Sequence, residues 1–173
     1  IWEGGLSFHG GLIGVIVSLY IYSYQHRISF LRLADAICMA MPIGLGLVRI
    51  GNFLNGELYG RPTDGTWGFI FPTDPYGFTR HPSQLYEAFF EGFFLFILLI
   101  FISTKTNKHG VISGSFLIAY GLIRFFIEYF RQPDSHMGFV ALQLSMGQLL
   151  SSPMVINGFI LLTKSLRRNE AIS

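Results

Sequence analysis

The sequence is poor in charge, with Asp, Glu, Lys and Arg making up only 13% of its 173 residues. A soluble domain of this length needs far more polar surface to cover itself. The formal net charge is only +2, and no basic stripe interleaves with aromatics, so nucleic acid is not an expected partner. Cys38 is the single cysteine, which excludes a disulfide framework and a cysteine-based metal site. His26, His109 and His136 lie in connections without paired metal-ligand spacing, so neither a metal nor a cofactor is expected. The sequence has no G-x-S-x-G or P-loop pattern to support serine-hydrolase or nucleotide chemistry. It also lacks the internal repeat of a transporter built from duplicated halves. The chain starts at Ile1 rather than Met, with no signal-peptide pattern, and reads as a piece whose N-terminal part is missing.

Apolar residues are abundant, at 51% of the chain with 18 Phe, and the mean hydropathy is +0.48. Several runs reach the roughly 20 residues needed to cross a bilayer core. The expected fold is therefore an all-α, polytopic membrane bundle in a single domain. Its spans are expected at Ser7–Tyr24, Leu33–Phe53, Pro82–Ile102, Val111–Phe130 and Leu144–Leu162. Gly56–His81 is too long and too rich in Gly, Pro and Asp for a hairpin turn. It reads as a small ordered cap with short strands at Trp67–Phe71.

Arg27, Arg32, Lys105, Lys108, Lys164, Arg167 and Arg168 are seven of the twelve basic residues, and all fall on alternate connections. Positive charge marks the cytoplasmic side. The cap is then extracytoplasmic and the C-terminus cytoplasmic.

Charges inside apolar spans need an explanation, because an Arg at the bilayer centre costs at least about 2.5–3.5 kcal/mol. Arg49 stands among glycines with Asn52 three residues on, toward the outer end of the second span. Tyr120, Arg124 and Glu128 fall four residues apart and share one face of the fourth. Glu128 is a candidate internal partner for Arg124. Two arginines at similar depth on different spans suggest one shared anion, since guanidinium presents a planar fork of donors to phosphate. At that depth a phosphate points to a phospholipid headgroup. His9, flanked by glycines at the outer entry of the first span, is a candidate base, and His81 is a second. Asp35, Glu87 and Glu91 read as mainly structural, and Cys38 as an apolar packing residue. An anion or lipid transporter with Arg49 and Arg124 on a phosphate path, and a non-catalytic lipid-binding subunit, remain alternatives.

The run Gly46–Leu47–Val48–Arg49–Ile50–Gly51–Asn52–Phe53–Leu54–Asn55–Gly56–Glu57–Leu58–Tyr59–Gly60 resembles the signature of the bacterial prolipoprotein diacylglyceryl transferases. Val48 departs from it, standing where that family usually has Gly. Gly4–Gly11, His81–Ala88 and Tyr120–Arg131 match further family blocks in the same order. The resemblance implies seven spans, of which this chain resembles the last five, and a piece without the first two is expected to be inactive. It also implies residence in the bacterial cytoplasmic (inner) membrane, with the active site toward the periplasmic face. The implied reaction moves the diacylglyceryl group of phosphatidylglycerol onto the lipobox cysteine thiol of a preprolipoprotein. A thioether forms and glycerol phosphate leaves. Arg49 and Arg124 would stabilise the departing phosphate, and His9 would take the thiol proton. Tyr120 and Glu128 would orient Arg124, while Asn52, Glu57 and Gly60 would shape the headgroup pocket. The implied partners are phosphatidylglycerol, the lipobox peptide and the surrounding membrane lipids.

Overall fold

The computed structural model describes residues 8–132, 139–141 and 144–167, with side chains described for 10–132 and 147–167. Its elements are α1 (Phe8–His26), α2 (Phe30–Leu54), β1 (Phe69–Ile70), β2 (Thr79–Arg80) and α3 (Ser83–Glu87). A π-helical segment, Ala88–Phe94, runs on from α3 into α4 (Leu95–Ser103). After them come α5 (Val111–Ile127), β3 (Phe139–Ala141), β4 (Leu144–Ser145) and α6 (Met146–Arg167). Among the described residues three helical stretches are long and apolar enough to cross a bilayer: Phe30–Leu54, Ser83–Ser103 and Gly147–Arg167. The apolar α5 has 17 residues. The protein is a helical integral membrane protein, and its phenylalanines follow suit: Phe89, Phe90, Phe93 and Phe94 point outward, away from the bundle.

Leu95, Leu99, Ile112 and Phe116 form the buried core, with Cys38, Met39, Met41 and Leu45 of α2 packed against it. Inside a membrane apolar burial adds little drive, so close backbone approach and polar contacts hold helices together. Small residues supply that approach here. A Cβ on Gly92 would lie 2.7 Å from the Cα of Gly46, and one on Gly158 would lie 2.9 Å from the Gly114 carbonyl oxygen. The first pair locks α2 onto the π-helical segment, and the second locks α5 onto α6.

Polar contacts fix the far end of the bundle. Gly110, at φ +89°, turns the chain into α5, whose first N–H groups have no partner within the helix. Asp35 of α2 supplies one from outside. Its carboxylate accepts from the Gly110 N–H at 2.6 Å, the Ser113 N–H at 2.8 Å and the Ser113 hydroxyl at 2.5 Å. Asp35 is structural, as expected from the sequence.

The 56–81 segment is an ordered cap. β1 pairs antiparallel with β2 in the register Phe69↔Arg80 and Ile70↔Thr79, so the strand is shorter than the 67–71 stretch expected. Phe53, Tyr59, Phe69 and Phe71 form an aromatic cluster beneath it. Arg80 binds Asp74 through two hydrogen bonds, of 2.6 and 3.0 Å, and lies 4.7 Å over the Tyr59 ring. The Arg80 guanidinium holds the Asp74 carboxyl below the usual carboxylate range; burial opposes this, and the Tyr76 and Phe78 N–H groups assist it.

Candidate active site

Three arginines from separate parts of the chain converge on one carboxylate. Glu87, 1% exposed at the end of α3, lies 2.5 Å from Nε of Arg49, 3.4 Å from Nη1 of Arg124 and 3.5 Å from Nη1 of Arg131. Glu91, 0% exposed and one turn further along, lies 3.9 Å from Arg49 and 3.7 Å from Arg124. Glu128 flanks Arg124 from the other side at 2.9 Å, four residues along the same helix. Proximity is not matched by directed bonding, however. Among the described residues neither oxygen of Glu87 or Glu91 receives a hydrogen bond of good geometry, and Arg124 Nη1 donates none. Each guanidinium carries five N–H donors, and a buried carboxylate normally takes several of them. Donors left undirected here are available to an anion entering between the arginines.

Local sequence explains the convergence. Gly46 is three residues before Arg49, and Gly92 is one after Glu91. Their backbone contact therefore brings Arg49 against the carboxylates. Glu87 and Glu91 are four apart in a stretch that passes from α-helix into a π-helical segment, a form concentrated at functional sites. Glu128, at the C-terminal end of α5, reaches the first turn of α6, where a Cβ on Gly147 would stand 2.7 Å from its carboxylate oxygen. A helix N-terminus favours such a negative charge.

The cap closes over Arg131. Gly60 bridges to Arg131 in antiparallel fashion, the Arg61 N–H donates to Phe130 O at 2.9 Å, and Arg61 Nε donates to Arg131 O at 2.9 Å. A side chain at Gly60 would put its Cβ 2.5 Å from the Phe130 carbonyl and 2.7 Å from that of His81. Only glycine fits.

Of the residues expected to form the site, Arg49, Arg124 and Glu128 come together. The Tyr120 ring stacks on Phe116 at 5.5 Å and 9° and makes no hydrogen bond to Arg124 among the described residues. Carboxylates hold Arg124 instead. Asn52 makes no side-chain hydrogen bond among the described residues, and its carbonyl accepts from the Glu57 N–H at 2.8 Å. The Glu57 side chain is exposed, while its carbonyl accepts from Gln84 Nε2 at 2.6 Å. The side chain of His9 lies outside the described residues. His81 packs against Phe130 and Tyr86, 5.4 and 6.2 Å between ring centroids. It borders an open depression of about 530 Å³ on the cap with Pro62, Thr63, Asp64, Phe78 and Thr79, none of which belongs to the arginine cluster.

Sequence reasoning missed the centre of the cluster. Glu87 and Glu91 do pair within the bundle, but their partners are the arginines of interest. Their spacing on an apolar helix, the same as that of Arg124 and Glu128, was the available signal. Arg131 closes the Tyr120–Arg131 block but falls in the loop after the fourth expected span, whereas the structure bridges it to Gly60 of the cap and brings its side chain to Glu87.

The chain matches the family model described as prolipoprotein diacylglyceryl transferase over residues 1–164. It is 52% identical over 162 residues to the phosphatidylglycerol–prolipoprotein diacylglyceryl transferase of Photobacterium profundum, covering 94% of this chain and 60% of that protein. The Pseudoalteromonas atlantica protein of the same name is 50% identical over 175 residues, covering 98% of this chain and 62% of that protein. That of Chlorobaculum tepidum is 51% identical over 166 residues, covering 96% and 57%. The chain thus spans about 60% of the length of the curated relatives it matches. A match of this extent, with the signature around Arg49 at the arginine cluster, places the chain in the prolipoprotein diacylglyceryl transferase family.

Proposed function

We propose that the chain carries the transfer of a diacylglyceryl group from phosphatidylglycerol to the lipobox cysteine thiol of a preprolipoprotein. The observation that carries this reading is the approach of Arg49 and Arg124, from different helices, to one under-bonded carboxylate. The headgroup phosphate sits between the two guanidinium groups. The thiol sulfur attacks the glyceryl carbon, an S–C bond forms, and the C–O bond to phosphate breaks. Electrons from that bond go to the phosphate oxygen, and glycerol phosphate leaves with more negative charge than the phosphodiester had. Donors aimed at developing charge in a dry site stabilise it strongly. A free thiol has a pKa near ~8.5, so a base or a positive field must raise its thiolate fraction. His9 takes that proton in this scheme. Asn52, Glu57 and Gly60 line the headgroup pocket under the cap, and Tyr120 closes it from α5.

The same reading makes the chain one membrane domain of five spans in the bacterial cytoplasmic membrane. Its cap and site face outward and its C-terminus faces the cytoplasm, in keeping with the seven basic residues on alternate connections. An anion or lipid path finds no support, because the relatives carry a transferase name.

The test uses the purified full-length protein with phosphatidylglycerol and a synthetic lipobox peptide. The expected products are glycerol phosphate and a peptide heavier by one diacylglyceryl group. If neither is formed, the proposal is overturned.

A further inference from the structure

The transfer chemistry itself gives Glu87 no task, since the phosphate is met by arginines and the proton by a base. Yet Glu87 lies within 3.5 Å of three arginines, Arg49, Arg124 and Arg131, which come from α2, α5 and the segment after it. Among the described residues it receives no directed hydrogen bond, and burying such a carboxylate is costly, so packing alone does not account for it. It also stands where an incoming phosphate must compete with it for the same donors. Arg131 adds a mechanical link, because the cap grips its backbone through Gly60 and Arg61 while its side chain reaches Glu87.

We propose that Glu87 is a positioning residue, an internal counter-ion that holds the three guanidinium groups assembled and aimed until a phosphate takes up their free donors. The inference rests on the transfer reading for its kinetic consequence but not for its structural one. Glu91, beneath it, restrains Arg49 and Arg124 in the same way at longer range. Without the carboxylate charge the arginines repel one another and collapse onto a bound phosphate early. Ground-state binding is then kept or improved, while stabilisation of the departing phosphate is lost.

Glu87→Gln keeps the volume and removes the charge. The expected result is a kcat lower by about 100-fold, the scale of a one-ångström misplacement, with the KM for phosphatidylglycerol unchanged or lower. A purely structural Glu87 would leave both constants of the folded fraction unchanged. The second readout is labelling by phenylglyoxal, followed by mass spectrometry, which needs no turnover. Arg49 and Arg124 should label severalfold faster in Glu87→Gln, while Arg80, 3% exposed in the cap, stays protected. A rise at Arg80 as well means that the variant has unfolded. Glu87→Asp, shorter by one methylene, then decides by the same labelling. Wild-type labelling of Arg49 and Arg124 in a folded variant overturns the proposal. A wild-type protein that releases no glycerol phosphate overturns the transfer reading and leaves the labelling test standing.

Discussion

Two arginine–carboxylate clusters lie a few residues apart in this chain, and they are built on opposite rules. In the cap, Asp74 takes two hydrogen bonds from Arg80 and two more from the Tyr76 and Phe78 N–H groups. Arg80 also donates to the side chain of Gln132 and faces the Tyr59 ring. Below the cap, Glu87 and Glu91 are as deeply buried and surrounded by more positive charge, but among the described residues none of their oxygens receives a directed hydrogen bond. A saturated ion pair has nothing left to offer a ligand and serves to fix a fold. An unsaturated one keeps donors in reserve. The degree of hydrogen-bond satisfaction, more than burial or charge, separates Arg80 from the arginines proposed to meet the phosphate.

The hardest test of that contrast is to replace each arginine by lysine, which keeps the charge and loses the fork. Arg124→Lys and Arg49→Lys should each lower thioether formation by about 10²–10³, the loss typical of one oxyanion donor. Arg80→Lys should instead lower the melting temperature and leave kcat of the folded protein near wild type. Peptide lipidation and thermal melts on the three variants measure both. An inactive but stable Arg80→Lys protein would erase the distinction between the clusters.

A smaller effect is expected one step back from the charges, at the contact that brings them together. Gly92→Ala puts a methyl 2.7 Å from the Gly46 Cα, so α2 and the π-helical segment must separate. Overpacking of this kind costs about 1–3 kcal/mol. The site should suffer more than the fold, because Arg49 is three residues from Gly46 and moves with it. Activity should fall about tenfold or more, and the melting temperature only modestly. A loss of stability without loss of activity would mean that the Gly46–Gly92 contact does not set the Arg49–Glu87 distance.

Sequence reasoning reached the elements whose signal is local. Apolar runs gave helices near those observed, and Arg124 with Glu128 followed from four-residue spacing on one helix. It failed where a partner comes from elsewhere in the chain. Nothing near Arg49 announces that Glu87, thirty-eight residues on, is its counter-ion. The link runs through a glycine–glycine contact that becomes visible only when the helices are docked. Arg131 is a still longer inference, since it is held by an isolated bridge to Gly60 of the cap, seventy-one residues back. The π-helical segment also escaped notice, because its composition is that of any apolar span.

Asp35 offers a milder perturbation at the end of α2 away from the site. It stands fourteen residues from Arg49, so about 21 Å along the helix at 1.5 Å per residue. Asp35→Ala leaves the Gly110 and Ser113 N–H groups without their acceptor. Loss of such a cap costs about 0.5–2 kcal/mol. Thermal melts should register that loss while kcat and KM stay at wild-type values. A changed KM would couple the two ends of α2 and spoil Asp35 as a control.

The smallest expected effect is a flat line, and it bears on the saturated cluster directly. Asp74 titrates below the usual carboxylate range when folded, chiefly because Arg80 bonds its ionised form. A depressed folded pKa gives stability that is fully present above the unfolded value, near ~3.9, and is lost as pH falls through the folded one. Asp74→Asn removes that contribution at every pH, and groups shared by both proteins cancel in the difference. The gap in melting temperature between wild type and Asp74→Asn should therefore be constant from about pH 8 to pH 5, and close only below about pH 4. A gap that varied between pH 8 and pH 5 would place the titration of Asp74 near neutrality. Its bonds to Arg80 would then be too weak to saturate it, and the cap pair would belong with the unsaturated cluster beneath.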